Sequence, residues 1–316
     1  MTTLWSYAAK RILLALPTLF VVSLVVFVLL RLVPGDPAEL LLGDLADPAS
    51  VAALRARLGL DLPWPAQYLA WLKSLAVGDL GTSISTGEPV LTAMLDRLGV
   101  TAQVVLVSFT AAMLIAVPAG LLAAHRQDSL LDLSVVIGVV LCLSVPSFWV
   151  GLMLILLFGV ELGWLPTVGW VSPLEDFGEG LRYLVLPALA LLLVEMGQVA
   201  RMTRASTIEV LRLDYILHAR AKGLPESRVL WRHAFPNAVA PTVTVAGMLL
   251  GSLLGGAAVV ETVFTLPGLG RLLVDAIYQR DYPVVQGTLL LVATVQVLMN
   301  LLVDLVYPLL DPRVKL

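Results

Sequence analysis

Six stretches of the chain are long and apolar enough to cross a lipid bilayer, and they constrain its fold more than any other feature. A membrane-spanning helix needs about 20 mostly apolar residues. The stretches lack Asp, Glu, Lys and Arg, except that Glu195 interrupts the fourth, and they cover residues 12–30, 100–124, 133–160, 183–200, 234–260 and 282–303. None shows the period-two alternation of a transmembrane β-strand. We therefore predict an all-α membrane protein with six transmembrane helices.

The composition supports this prediction. Charged residues make up 14% of the 316 residues and hydrophobic residues 59%, whereas a soluble domain carries about 25% charged residues. These values exclude an ordinary soluble domain, a disordered chain and a nucleic-acid-binding protein with a strong basic field. The one cysteine, Cys142, lies in the third stretch, and the three histidines lack metal-ligand spacing. We therefore expect no disulfide within the chain and no metal site.

The basic residues predict the orientation. The loop over residues 201–233 carries seven Lys and Arg against three Asp and Glu, so the positive-inside rule places it and both termini in the cytoplasm. The predicted organisation is an N-terminal transmembrane helix in residues 1–33, an extracytoplasmic segment 34–97, a membrane core 98–307 and a cytoplasmic tail 308–316. A cleaved signal peptide is the alternative for residues 12–30, but that run is long for one and no small-residue cleavage site follows.

The extracytoplasmic segment is predicted to form loops with short helices near residues 49–58 and 65–75. Its aromatic residues Trp64, Tyr68 and Trp71 suit either the membrane interface or a small core.

Glu195 is the only carboxylate well inside an apolar stretch, and Gln198 lies about one turn further on. A charge near the middle of a membrane costs several kcal/mol and usually faces a cavity or a partner. Two alternatives follow. Either Glu195 and Gln198 line a polar pathway, or Glu195 pairs with a basic residue near the cytoplasmic end, such as Arg201.

Glycines recur every four residues in the fifth stretch, at Gly247, Gly251 and Gly255. They form one smooth helical face that suits close helix packing, either within the subunit or against a second subunit. Three prolines can bend their helices, as hinges or as static kinks: Pro118, Pro146 and Pro241.

The cytoplasmic loop is predicted to hold two short helices with a sharp break, within residues 214–237 (DYILHARAKGLPESRVLWRHAFPN). Gly223 suits a left-handed cap at the end of the first helix, and Pro225 suits the first position of the second. The small residues Ala219 and Gly223 leave room for another backbone, with basic side chains around them. A solvated basic loop that only fixes the topology is the alternative.

This loop resembles the EAA loop in the inner-membrane subunits of ABC importers. That motif has an Ala, a Gly four residues later and then hydrophobic-x-Leu-Pro, and here Ala219, Gly223 and residues 233–236 (HAFP) hold those places. Leu217 and His218 replace the Glu and first Ala of the motif, and a histidine replaces its hydrophobic residue. Three further segments resemble the dipeptide, oligopeptide and nickel branch of this family: residues 31–38, 78–90 and 261–287.

The resemblance implies a type I importer permease fold, with an ABC permease core over residues 98–307 and a coupling helix that docks on a cytoplasmic ATPase. The implied coupling residues are Asp214, Tyr215, Ala219, Arg220, Lys222, Gly223 and Leu224. Residues implied to contact an extracytoplasmic solute-binding protein, or to form a gate, are Glu261, Phe264, Pro267 and Gly268. The other implied partners are a homologous permease subunit, two ATPase subunits that bind ATP and Mg²⁺, and the lipid of a prokaryotic plasma (inner) membrane.

The implied function is the import of short peptides, with nickel or a glutathione-type solute as the other candidates. The chain contains no Gly-x-x-x-x-Gly-Lys-Ser/Thr loop and no HExxH or GxSxG motif. We therefore expect no ATPase site, no cofactor and no enzymatic activity in this chain. The alternatives are an ion-coupled secondary carrier with Glu195 as its proton site, and a membrane scaffold without a transport role.

Overall fold

The computed structural model describes residues 4–32, 37–42, 47–57 and 59–310, most of them in helices. The helices are α1 (Leu4–Leu32), α2 (Pro37–Leu42), α3 (Pro48–Arg57), α4 (Trp64–Ala76), α5 (Val90–His125), α6 (Leu130–Ser144), α7 (Ser147–Leu154), α8 (Phe177–Leu211), α9 (Asp214–Ala221), α10 (Glu226–Arg228), α11 (Phe235–Val263), α12 (Leu269–Tyr278) and α13 (Tyr282–Leu310). Two π-helical stretches continue α7 and join α10 to α11: Ile155–Glu161 and Val229–Ala234. We call the end of the bundle that carries α9 the inner side and the opposite end the outer side.

Five helices in the described part of the chain are long and apolar enough to cross a membrane: α1, α5, α8, α11 and α13. The helix pair α6 and α7 meets the same criteria only when the two are taken together. Asp132 near the start of α6 binds Arg204 at the inner end of α8. Ser172, which follows the pair, hydrogen-bonds Gln103 in the outer half of α5. The pair therefore carries the chain from the inner to the outer side, and the described residues hold six candidate spans when this bent pair is counted as one.

The third predicted helix, residues 133–160, is wrong as a single helix, because α6 and α7 meet at a bend of 98°. The bend lies at Val145 and Pro146, which both have extended backbone angles. Proline has no N–H for a helical hydrogen bond and disfavours the helical conformation in the residue before it. Pro118 and Pro241, by contrast, lie inside the uninterrupted helices α5 and α11.

Helix α8 is longer than predicted, because it continues 11 residues past Ala200 to Leu211. This extension has no proline or glycine, and its small polar side chains pack against α11. Ser206 Oγ donates to the Ala238 carbonyl at 2.9 Å, and the hydroxyls of Thr203 and Thr242 lie 3.2 Å apart. The first third of the predicted cytoplasmic loop is therefore part of a membrane helix.

Two of the three aromatic residues of the outer segment form the small core that was one of the predicted alternatives. Tyr68 is buried, its hydroxyl lies 2.7 Å from Ser23 Oγ, and its ring centroid lies 5.2 Å from that of Phe27. Trp71 also packs on Phe27, whereas Trp64 is exposed. Helix α4 is thus held against the outer end of α1 by a small aromatic core.

Helices α5, α8 and α11 form the centre of the bundle. Their largest apolar cluster includes Val104, Leu191 and Leu253, all at most 3% exposed. Two of the three glycines with four-residue spacing pack α11 against α13, since a Cβ at Gly247 would overlap Val303 and a Cβ at Gly251 would lie 2.6 Å from Gln296. A Cβ at Gly255 would meet nothing within 4 Å, so this glycine is not needed for that contact.

Candidate functional site

Helix α9 lies on the inner side and begins at Asp214, the residue predicted to start the coupling helix. Ile216 is fully buried and Ala219 is 7% exposed, and both belong to an apolar cluster with Leu121 of α5. The Tyr215 hydroxyl donates to the His233 carbonyl at 3.3 Å. One face of α9 is therefore packed into the same apolar cluster as Leu121 of α5.

The turn after α9 has the geometry predicted for it. Gly223 has φ +77°, the left-handed conformation that glycine adopts without a steric penalty. Lys222 is exposed at the C-cap of α9, and Leu224 packs at the edge of the cluster beneath it. Pro225 precedes α10 as its N-cap, one position earlier than predicted.

A charged bridge closes this turn. The Arg220 guanidinium donates to both carboxylate oxygens of Glu226, at 2.8 and 3.2 Å. His125 Nδ1, at the inner end of α5, lies 3.8 Å from the same carboxylate. Glu226 thus connects α9, α10 and α5, and Arg220 is engaged within the chain.

The solvent-exposed face of this loop carries apolar side chains outside the six apolar stretches of the sequence. Leu217 on α9 is 52% exposed and Trp231 is 51% exposed, with the Trp231 ring packed edge-on against Phe235. Exposed apolar side chains beside basic ones are typical of a protein-binding surface. The space next to Gly223 is also open, since a Cβ on this residue would meet no atom within 4 Å.

The sequence did not predict the buried ion pair between α6 and α8 on the inner side. Arg204 of α8 donates two hydrogen bonds to Asp132 of α6, at 2.6 and 2.7 Å, and the Asp132 side chain is only 5% exposed. Asp132 also accepts from the backbone N–H of Asp128 at 3.1 Å. This bidentate pair fixes the first half of the bent helix pair to α8.

Glu195 is enclosed within the bundle and is 7% exposed. Its neighbours one turn away on α8, Leu191 and Val199, belong to apolar clusters shared with α5 and α11. The alternative pairing with Arg201 is wrong: six helical residues place the two side chains on different faces, and they form no ion pair. Within the described residues, one carboxylate oxygen of Glu195 has no hydrogen-bond partner. Gln198 is half-buried.

A second buried carboxylate, Glu261, lies on the outer side and joins three helices. It is fully buried near the end of α11 and accepts a hydrogen bond of 2.5 Å from the Thr101 hydroxyl of α5. It also accepts a bond of 3.0 Å from the Arg271 N–H in the first turn of α12. The Leu269 N–H donates to Thr101 Oγ1 at 2.8 Å. A carboxylate at a helix N-terminus is favourable, because the free N–H groups there carry a partial positive charge.

The four residues predicted to form a gate or a partner contact include Glu261 itself and three residues that follow it closely in the sequence. Phe264 is 1% exposed, and Gly268 is buried so close to Glu261 that a Cβ on it would overlap the carboxylate. Pro267 is exposed. Of the four residues, only Pro267 is exposed in this conformation, and the role predicted for them stays a prediction.

Asp281 fixes a second part of the outer surface. Its carboxylate accepts hydrogen bonds from the hydroxyls of Ser83 and Ser85 and from the Ser85 N–H. Burial raises the pKa of Asp281, but these hydrogen bonds outweigh it and hold the pKa below the ordinary aspartate value. The loop of residues 79–89 is thus bound to the turn between α12 and α13, which joins two of the segments singled out by resemblance.

Comparison with known proteins identifies relatives over almost the whole chain. Residues 116–316 match the family of inner membrane components of binding-protein-dependent transport systems, and residues 4–105 match the N-terminal region of such membrane components. The chain is 41% identical to the dipeptide transport system permease protein of Alkalihalophilus pseudofirmus, over 98% of the chain and 99% of that protein. It is 42% identical to the di/tripeptide transport system permease protein of Pseudomonas aeruginosa, over 98% of each. It is 38% identical to the oligopeptide transport system permease protein of Bacillus subtilis, over 98% and 99%.

Proposed function

Because the chain belongs to the family of inner membrane components of binding-protein-dependent transport systems, we propose that it is the permease subunit of an ATP-driven importer of short peptides. It is a multi-pass inner-membrane protein. We propose that a homologous permease subunit completes the translocation pathway and that two ATPase subunits bind ATP and Mg²⁺ on the inner side. A solute-binding protein delivers the peptide on the outer side.

The observation that carries the coupling proposal is the two-sided character of α9. Ile216 and Ala219 anchor it in the bundle, while Leu217 projects outward beside basic residues. A helix anchored in this way moves together with the membrane helices when a partner pulls on it. Family membership favours the ATP-driven importer over the ion-coupled carrier, and the role of Glu195 and Gln198 in the pathway stays a prediction.

The experiment compares Gly223→Arg with Gly223→Ala. Both substitutions place a side chain at φ +77° and carry the same backbone penalty, about 1 kcal/mol. The arginine has room in this chain, because a Cβ at residue 223 meets nothing within 4 Å. A difference between the two variants therefore reports on a partner.

We expect Gly223→Ala to co-purify with the ATPase subunits from mild detergent and Gly223→Arg to lose at least tenfold of that association. Thermal unfolding of the isolated subunit controls for folding and is expected to be alike for both variants. Normal ATPase association of Gly223→Arg would overturn the docking role of this turn.

A further inference from the structure

The outer surface holds a cavity of about 300 Å³ between α5, α12 and the loop of residues 79–89. Five charged side chains line it, and three of them are engaged within the chain. Arg271 donates to the Thr265 carbonyl at 2.8 Å and lies 3.6 Å from Asp275. Asp281 is bound to the two serines described above.

The other two charged side chains are Arg97 and Glu88. Arg97, in the second turn of α5, is half-buried, and its guanidinium donates only to the carbonyl of Ala93 in its own helix, at 3.0 Å. Glu88, just before α5, is also half-buried. Among the described residues, neither has an oppositely charged partner within 4.0 Å, although both line the same cavity. The cavity therefore offers one free cation and one free anion.

The size of the cavity limits what can satisfy both charges. A volume of about 300 Å³ is at the lower end for small-molecule sites and corresponds to a width of about 8 Å. Two extended residues span about 7 Å. A free dipeptide carries a carboxylate at one end and an ammonium group at the other, so it matches the cavity in both length and charge.

We propose that this cavity is a binding site for a dipeptide-sized zwitterion, with Arg97 holding the carboxylate and Glu88 the ammonium group. Arginine suits this role because its planar guanidinium binds a carboxylate through two parallel hydrogen bonds. Thr86 also lines the cavity, and its hydroxyl can bind the peptide group. The site rests on the proposed function for its peptide ligand. It lies at the outer end of α5 and would receive peptide before translocation.

The test uses the chain assembled with its partner subunits in lipid nanodiscs, without a solute-binding protein. Ligand-observed NMR titrations compare three ligands. Dialanine carries both terminal charges, N-acetyl-dialanine lacks the ammonium group, and dialanine amide lacks the carboxylate. We expect dialanine to bind at least tenfold more tightly than either blocked form.

Each variant is expected to remove the preference for dialanine over one of the two blocked ligands. Arg97→Ala is expected to lower the dialanine affinity to that of the amide and to leave the amide affinity unchanged. Glu88→Gln is expected to lower the dialanine affinity to that of N-acetyl-dialanine and to leave the N-acetyl-dialanine affinity unchanged. The unchanged affinity for the blocked ligand shows that each variant is folded. Lys73→Ala and Glu175→Gln, exposed residues of the outer side that do not line the cavity, are expected to match the wild type in every titration.

Three results would each overturn the site. The wild type does not bind dialanine, it binds the three ligands with equal affinity, or a variant loses affinity equally for all three ligands. If the solute-binding protein binds the complex in an Arg97-dependent way and dialanine does not bind, the cavity is a docking site for that protein and not a peptide site. ATP-driven uptake with the binding protein is measured on the same complex. Uptake without direct dialanine binding overturns this site alone, whereas absence of uptake overturns the proposed function.

Discussion

Replacing Thr101 by valine tests whether the Glu261 carboxylate unites three helices on the outer side. Thr101 is 1% exposed, and its hydroxyl makes two hydrogen bonds, to Glu261 at 2.5 Å and from the Leu269 N–H at 2.8 Å. Valine has nearly the same shape, so the substitution removes these bonds and leaves no cavity. A buried polar group without its partner costs about 1–3 kcal/mol, and more if it is charged. With one N–H and one carboxylate oxygen left unpaired, we expect a loss of about 4 kcal/mol.

The assay is equilibrium unfolding of the purified chain in mixed micelles, followed by circular dichroism. Thr101→Ser keeps the hydroxyl and is expected to stay within about 1 kcal/mol of the wild type. Thr110→Val makes the same chemical change at an exposed position on the same helix and is expected to change stability by less than about 0.5 kcal/mol. Equal stability of Thr101→Val and Thr110→Val would refute the reasoning.

Three further predictions follow from other contacts. Arg204→Ala leaves the buried Asp132 carboxylate unpaired and is expected to cost about 3 kcal/mol in the same unfolding assay, and no loss would contradict it. Gly247→Ala is expected to destabilise the chain by about 1–2 kcal/mol, because its methyl group would overlap Val303. Gly255→Ala has free space and is expected to stabilise the chain by up to about 1 kcal/mol. A change of the same sign in both variants would contradict this packing. The pKa of Asp281 is lowered in the folded chain, so its contribution to stability is complete above the ordinary aspartate pKa of about 4. The contribution is lost as the pH falls through the lower folded pKa. Thermal unfolding of Asp281→Asn at different pH values should lack this part of the acid dependence.

Local features of the fold could be predicted from the sequence because their causes are local. Apolar runs of about 20 residues identify membrane helices wherever they occur. Gly223 at the end of the first short helix predicted a left-handed cap, and this residue has φ +77°. Pro146 was named as a possible bend, but the sequence did not predict that it divides one span into two helices meeting at 98°.

The contacts between distant residues could not be predicted, because they depend on how the helices pack. Thr101 and Glu261 are separated by 160 positions, and no spacing rule connects them. Asp132 directly precedes the third apolar stretch, and nothing in its sequence context indicates the two hydrogen bonds that it accepts from Arg204.

The assignment of Glu195 shows the same limit. Arg201 is close to it in sequence, yet Glu195 points into the bundle and Arg201 is exposed. Closeness along a helix predicts contact only at separations of three or four residues.

The most direct test of the proposed function is uptake of radiolabelled dipeptide into proteoliposomes that contain the chain and its partner subunits. The account predicts uptake that requires both ATP and the solute-binding protein and that is lost in Gly223→Arg but not in Gly223→Ala. Uptake driven by an ion gradient, without ATP and without the binding protein, would contradict it and would favour a self-contained carrier.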